Sequence, residues 1–187
     1  PYLKKVVICN STVDFDKIKF PASITELFLL NCKVKNIGEL KYLKGLHYLS
    51  LSGSILERPE ELSALSELEY LILNKTNIVT LAPLSSLKKL TRLEFSHTKV
   101  STLTPLTSLS ELTFLLFESV PVKTLDGLES LSKLEYILFS KSEVSDIHAI
   151  LQLKNLKNVN MLFTQVPKDQ VLLLKKNPNI CIAYIEN

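Results

Sequence analysis

The chain is poor in the residues that build catalytic and cofactor sites. Its 187 residues include four glycines, three cysteines and three histidines. Gly38, Gly45, Gly53 and Gly127 stand singly, as turn punctuation, so no glycine-rich loop is there to cradle a phosphate. His47, His97 and His148 are separated by 50 and 51 residues and fall at different places in their local patterns, which argues against a shared metal. Arg92, Glu94 and His97 come nearest to a catalytic cluster, and they read as ordinary exposed polar surface. With no nucleophile beside a base, no paired carboxylates and no metal-ligand spacing, the chain is not expected to be an enzyme. No catalytic, metal or cofactor-binding residue is expected.

Other shortages bound the setting. Cys9, Cys32 and Cys181 lack the spacing of a disulfide framework or zinc site, and an odd number cannot pair fully within one chain. Reduced thiols are expected, which slightly favours a reducing compartment over an extracellular one. No run of 18 apolar residues occurs, so no membrane insertion is expected. A net charge of +3, from 22 basic and 19 acidic residues, is too small and dispersed to point to nucleic acid. Asn10-Ser11-Thr12 and Asn74-Lys75-Thr76 match the glycosylation triplet, which has meaning only in a eukaryotic secretory pathway.

What the chain has is 46% apolar residues laid out in a repeat. The stretch Leu68-Glu69-Tyr70-Leu71-Ile72-Leu73-Asn74-Lys75-Thr76-Asn77-Ile78 recurs at a shift of 22 residues as Leu90 to Val100, Leu112 to Val122 and Leu134 to Val144. Leu46 to Leu56 and Leu156 to Val166 continue it, and Ile24 to Val34 and Leu3 to Val13 are weaker or shifted copies, which makes eight units. The alternation in Leu71 and Leu73 is the period of a short strand, so eight strands are expected near residues 5–7, 26–28, 48–50, 70–72, 92–94, 114–116, 136–138 and 158–160. The return half of each unit spaces leucines by three, as in Leu81, Leu84, Leu87 and Leu90, which is the period of a 3₁₀ turn.

A 22-residue unit of the form L-x-x-L-x-L-x-x-N/C-x-L resembles the leucine-rich repeats, and the lean return half resembles their internalin-like and phosphatase-regulator-like subclass. The resemblance implies an α/β solenoid, an arc with a parallel β-sheet on its concave side and short 3₁₀ or irregular turns on its convex side. Residues 1–187 then form one domain, with an irregular first repeat over 1–23, regular repeats over 24–166, and a C-terminal helix and capping strand over 167–187. The helix is expected at Val171 to Lys176, before Asn177-Pro178, and the strand at Ile180 to Ile185. The position usually held by Asn reads Ser11, Cys32, Ser54, Thr76, Thr98, Val120, Ser142 and Thr164. Hydroxyls there are expected to be buried and bonded to backbone, with the ladder relaxed at Val120, and Cys32 is expected to be structural.

Two columns on the strands point away from the leucines. One reads Lys5, Glu26, Tyr48, Tyr70, Arg92, Phe114, Tyr136 and Asn158; the other reads Val7, Phe28, Ser50, Ile72, Glu94, Leu116, Leu138 and Asn160. Facing solvent, they would form an apolar ridge divided by Arg92 and Glu94. Tyr, Phe and Arg are enriched at interface centres, so Phe28, Tyr48, Tyr70, Ile72, Arg92, Glu94, Phe114, Leu116, Tyr136 and Leu138 are the expected contact surface for a protein or peptide ligand. Packing of these side chains on one another across strands is the alternative use of the columns. As a class, arrays like this serve as bacterial surface adhesins, effectors delivered into host cells and phosphatase regulators. Twenty of the 22 basic residues are Lys, a bias in keeping with an AT-rich genome such as that of many pathogens. Two other functions stay open: the recognition portion of a longer enzyme or regulatory subunit, and self-association through the ridge.

Overall fold

The computed structural model describes residues 3–185. Residues 1–2 and 186–187, which the expected first repeat and capping segment include, lie outside the described residues. Twelve strands occur among the described residues: β1 (Lys5–Cys9), β2 (Thr12–Asp14), β3 (Glu26–Leu30), β4 (Lys33–Lys35), β5 (Tyr48–Ser50), β6 (Ile55–Leu56), β7 (Tyr70–Ile72), β8 (Arg92–Glu94), β9 (Phe114–Leu116), β10 (Tyr136–Leu138), β11 (Asn158–Asn160) and β12 (Cys181–Ala183). Nine of them form one parallel sheet on the concave side, in the order β1-β3-β5-β7-β8-β9-β10-β11-β12. The eight expected strands are all there, and β12 is the closing strand.

Register carries the repeat into space. Tyr70 pairs with Arg92, Arg92 with Phe114 and Phe114 with Tyr136, each step advancing 22 residues. The step is 21 residues from Lys5 to Glu26 and 23 from Asn158 to Cys181, so the irregularities sit at the two ends. Between strands, the chain returns through 3₁₀ segments at Ile37–Tyr42, Pro59–Ala64, Ala82–Ser86, Thr104–Ser108 and His148–Ile150. Pro59, Pro83 and Pro105 lie in the first turn, where a fixed φ fits and a missing N–H costs nothing. Leu71, Leu93 and Leu115 from the strands meet Leu81, Leu84, Leu87 and Leu90 from the returns, and all are buried. The inward column after them changes from Leu73 to Phe95, Phe117 and Phe139, whose rings stack at 5.2 and 5.8 Å inside the core.

Each of the first eight strands of the large sheet is followed, within three residues, by one residue in the left-handed region. Asn10, Asn31, Gly53, Lys75, His97, Ser119, Lys141 and Phe163 all have φ between 52° and 73°. Only glycine adopts this φ without cost, yet the column keeps it with side chains as large as Phe. Backbone bonding fixes it: the N–H groups of Lys75, His97 and Lys141 each donate to the next repeat at 2.8, 2.8 and 2.9 Å. Directly after comes the hydroxyl column. Thr76 donates to the Leu73 carbonyl at 2.7 Å and Thr98 to that of Phe95 at 2.9 Å, both buried as expected. Ser142 and Thr164 do the same at 2.6 and 2.8 Å. Where Val120 replaces the hydroxyl, the neighbouring bond from Ser119 N–H to Ser140 O is 3.4 Å.

Three features depart from expectation. The first is a second parallel sheet, β2-β4-β6, formed as the chain leaves the turn. It ends because the Asn77 side chain takes the next strand's place, accepting from Leu56 N–H at 2.8 Å and donating to Leu56 O at 2.9 Å. The second is the return of the unit after Val120, which has no 3₁₀ turn and a single bridge between Thr124 and Asp146. Gly127 lies there with φ 102°, and a Cβ on it would stand 2.6 Å from Thr104 Cα and 2.8 Å from Leu103 O. The third is the helix α1 (Lys168–Leu174), which begins three residues before the expected Val171 because Pro167 sets its start. It ends at Leu174, ahead of Asn177-Pro178. Its Gln170 is buried and accepts the Ile147 N–H at 2.8 Å.

Two substitutions check these contacts by urea or thermal unfolding. Thr98→Val removes a donor from a buried carbonyl and is expected to cost about 1–3 kcal/mol. Gly127→Ala forces two repeats apart and is expected to cost about 1–3 kcal/mol.

Candidate functional site

Apart from Lys5 and Val7 on the edge strand β1, the outward columns stand on interior strands held on both sides by a neighbour, so their side chains start from a rigid frame. Parallel strands lie about 4.8 Å apart, which puts equivalent rings within stacking reach. Phe28 and Tyr48 stack at 4.8 Å between centroids, and Tyr48 and Tyr70 at 5.8 Å. Phe114 and Tyr136 meet at 6.1 Å, tilted by 33°. The Lys5 ammonium lies 4.4 Å from the Phe28 ring centroid and caps that end.

Arg92 and Glu94 divide the ladder as the sequence suggests, and they do so as a closed unit. The Arg92 guanidinium lies 3.7 Å from the Phe114 ring centroid. Its Nε and Nη2 both donate to Glu94 Oε1, at 2.9 and 2.7 Å. Glu94 Oε2 accepts from Asn74 Nδ2 at 3.1 Å, and Asn74 Oδ1 accepts the Ser96 N–H at 2.7 Å. The Glu94 side chain is only 12% exposed, against 38% for Arg92. Burial raises the Tyr48 phenol above the ordinary tyrosine pKa, and the Glu94 charge pushes the same way. The hydroxyl therefore stays protonated and available as a donor through the neutral range.

The ten expected contact residues do share one face, but they are not freely solvated. Tyr70 and Tyr136 are exposed at 37% and 38%. Phe28, Tyr48, Ile72, Arg92, Glu94, Phe114, Leu116 and Leu138 are half-buried. Ser50, in the same column, is buried at 3%, flanked by Phe28 and Ile72 on the paired strands. The rings cover each other, as the alternative use of the columns has it, so the ridge presents edges and hydroxyls. Asn74 was missed by sequence reasoning; its signal is an amide two residues after Ile72, beside an acidic residue on the next strand. His97 belongs to the left-handed column on the rim and is exposed. Among the described residues, no three His, Cys, Asp or Glu side chains are placed to hold a metal, and no helix is long and apolar enough to cross a membrane.

No family model matches the sequence, and no curated protein matches it. Solved structures do. An internalin C2 from Listeria monocytogenes matches with a TM-score of 0.80 at 26% identity, over 88% of this chain and 72% of that one. An inlF internalin from the same species matches with a TM-score of 0.78 at 22% identity, again over 88% of this chain. The fold is that of a leucine-rich repeat protein. A third match is the leucine-rich repeat ectodomain of the plant membrane receptor kinase GASSHO1/SCHENGEN3 from Arabidopsis thaliana, in complex with CASPARIAN STRIP INTEGRITY FACTOR 2, with a TM-score of 0.63 at 18% identity. This chain covers 78% of its own length there and 19% of the receptor's, and it spans half the length of the inlF structure.

Mutual stacking makes the ladder part of the stability of this leucine-rich repeat array. Tyr48, between two rings, is expected to cost about 1–3 kcal/mol when replaced by Ala, from two stacked pairs. Tyr136→Ala, with one ring contact, should cost about half as much in the same unfolding measurement. The cysteines give a second check. All three are free among the described residues, with Cys9 and Cys181 exposed and Cys32 buried against the Leu30 and Ile8 carbonyls. Two thiols are expected to react at once in the native protein and the third only after unfolding.

Proposed function

We propose that this leucine-rich repeat array is a non-enzymatic interaction module that binds a protein or peptide ligand on its concave face. The observation that carries the reading is the ladder itself: Tyr48, Tyr70, Phe114 and Tyr136 stand on four rigid strands of one sheet with edges open to solvent. Aromatic side chains fixed in this way lose little freedom on binding, so their apolar area contributes to affinity at small entropic cost. The structural likeness to internalins and to a receptor ectodomain solved with a bound factor supports a recognition role. The internalin likeness together with the lysine bias favours a pathogen surface protein or host-targeted effector as its setting.

The second reading is that these repeats are the recognition portion of a longer enzyme or regulatory protein, and the share of the internalin and receptor chains that they span favours it. The same face would serve there. The test is alanine replacement scored by titration calorimetry against a partner captured on the immobilised chain. Tyr70→Ala or Phe114→Ala is expected to weaken binding by about 2 kcal/mol or more. Lys88→Ala and Lys133→Ala, on the convex side, should leave it within about 0.5 kcal/mol of the parent. Loss of binding in the lysine variants with the aromatic variants intact would place the ligand on another face.

A further inference from the structure

Beyond the separate Tyr48, Tyr70 and Tyr136 hydroxyls, the concave face offers a ligand backbone little hydrogen bonding. In the large sheet β3, β5, β7, β8, β9, β10 and β11 are each paired on both sides, so their N–H and C=O groups are turned toward neighbouring strands. Several polar side chains around the ladder are engaged as well. Thr91 donates to Glu69 O at 3.1 Å and Thr113 to Thr91 O at 3.1 Å. Ser96 accepts the Glu118 N–H at 3.0 Å, and Ser140 donates to Asn160 Oδ1 at 2.7 Å. Asn74 and Glu94 are closed on each other and on Arg92. An extended segment pressed onto such a face would bury amides without partners, which is unfavourable wherever water is excluded. A helix carries its own backbone partners and meets the same face with side chains alone.

Spacing points the same way. The ring steps along the ladder are 4.8, 5.8 and 6.1 Å. A helix laid along the row of strands repeats its contact stripe every turn, about 5.4 Å. Same-side residues of an extended chain recur every two residues, about 6.6–6.8 Å, which suits the Phe114–Tyr136 step but overruns the two steps from Phe28 through Tyr48 to Tyr70. A polyproline helix repeats about every 9.3 Å. The Arg92–Glu94 rung is internally neutralised, so a ligand crossing it need bring no ion of its own.

We propose that the ligand segment recognised by this face is an amphipathic α-helix, lying across the strands with one apolar side chain per turn set between successive rings. The proposal rests on the concave-face reading above. Its test uses three synthetic peptides of about 20 residues, about 30 Å long when helical. Two share one composition of Leu, Phe, Ala, Lys and Glu: in the first the apolar residues recur at three and four, in the second they alternate. The third is proline-rich with the same number of apolar residues. Binding to the whole chain is followed by fluorescence anisotropy and circular dichroism, with thermal midpoints recorded for every variant. The helical-period peptide is expected to bind at least about tenfold tighter than the other two and to gain helical signal. Phe114→Ala and Tyr70→Ala are each expected to weaken it at least about tenfold, and Lys88→Ala to leave it unchanged. Equal or tighter binding of the alternating or proline-rich peptide, or binding by none, overturns the helix. If the winning peptide still loses affinity in Phe114→Ala, the concave-face reading survives that result. If the helical-period peptide binds and neither aromatic replacement affects it, both readings fall.

Discussion

Everything in this molecule depends on parallel backbone pairing repeated at a step of 22 residues. No unit could bury Leu71, Leu93 or Leu115 by itself, because each has a short strand and a single return turn. The neighbours above and below cover those side chains, so stability is shared between adjacent units. A one-residue slip would turn the leucines to solvent and the aromatics inward, so register is held wherever both faces are specialised. The left-handed residue after each strand belongs to the same constraint. Lys75, His97 and Lys141 hold a backbone angle that their side chains disfavour, because the next unit's carbonyl must be met there.

The parts of the fold that repeat strictly were legible in the chain, and the parts that depend on one residue's neighbour were not. Strand positions follow from Leu-x-Leu at a fixed shift, and the hydroxyl column follows from its place in the same unit. The second sheet did not show, because Thr12-Val13-Asp14, Lys33-Val34-Lys35 and Ile55-Leu56 are too short to stand out from a loop. Its end at Asn77 depends on a side chain reaching across to Leu56, which no period encodes. The left-handed column hides behind its own composition: Asn10, Asn31 and Gly53 carry the usual signal, and Lys75 to Phe163 do not. At the site, membership of the columns was readable. The degree to which the rings stack, the burial of Ser50 and the closure of Glu94 by Asn74 were not, since they depend on contacts between strands.

Those contacts join recognition to stability. A ring that is held by the next ring needs no ordering when a ligand arrives, and that preorganisation lowers the entropic cost of binding. The same contact means that changing a residue of the proposed face also loosens the array. The ladder is therefore constrained from two sides. Its edges can vary with the partner, whereas the faces between strands must keep filling a gap set by the strand spacing.

Charge is distributed in a way that complements this arrangement. Residues 1–149 carry 17 basic and 17 acidic side chains, and residues 150–187 carry five and two. Charged residues are dispersed along the whole chain, but the small net excess comes from its C-terminal part, where Lys154, Lys175 and Lys176 are exposed, while the central rung is neutralised by Arg92 and Glu94. A charge excess at one end adds no charge that must be desolvated beneath the ladder. On the proposed face, discrimination would then fall to shape and spacing, because it presents ring edges, a few tyrosine hydroxyls and an Arg92–Glu94 pair already closed on itself.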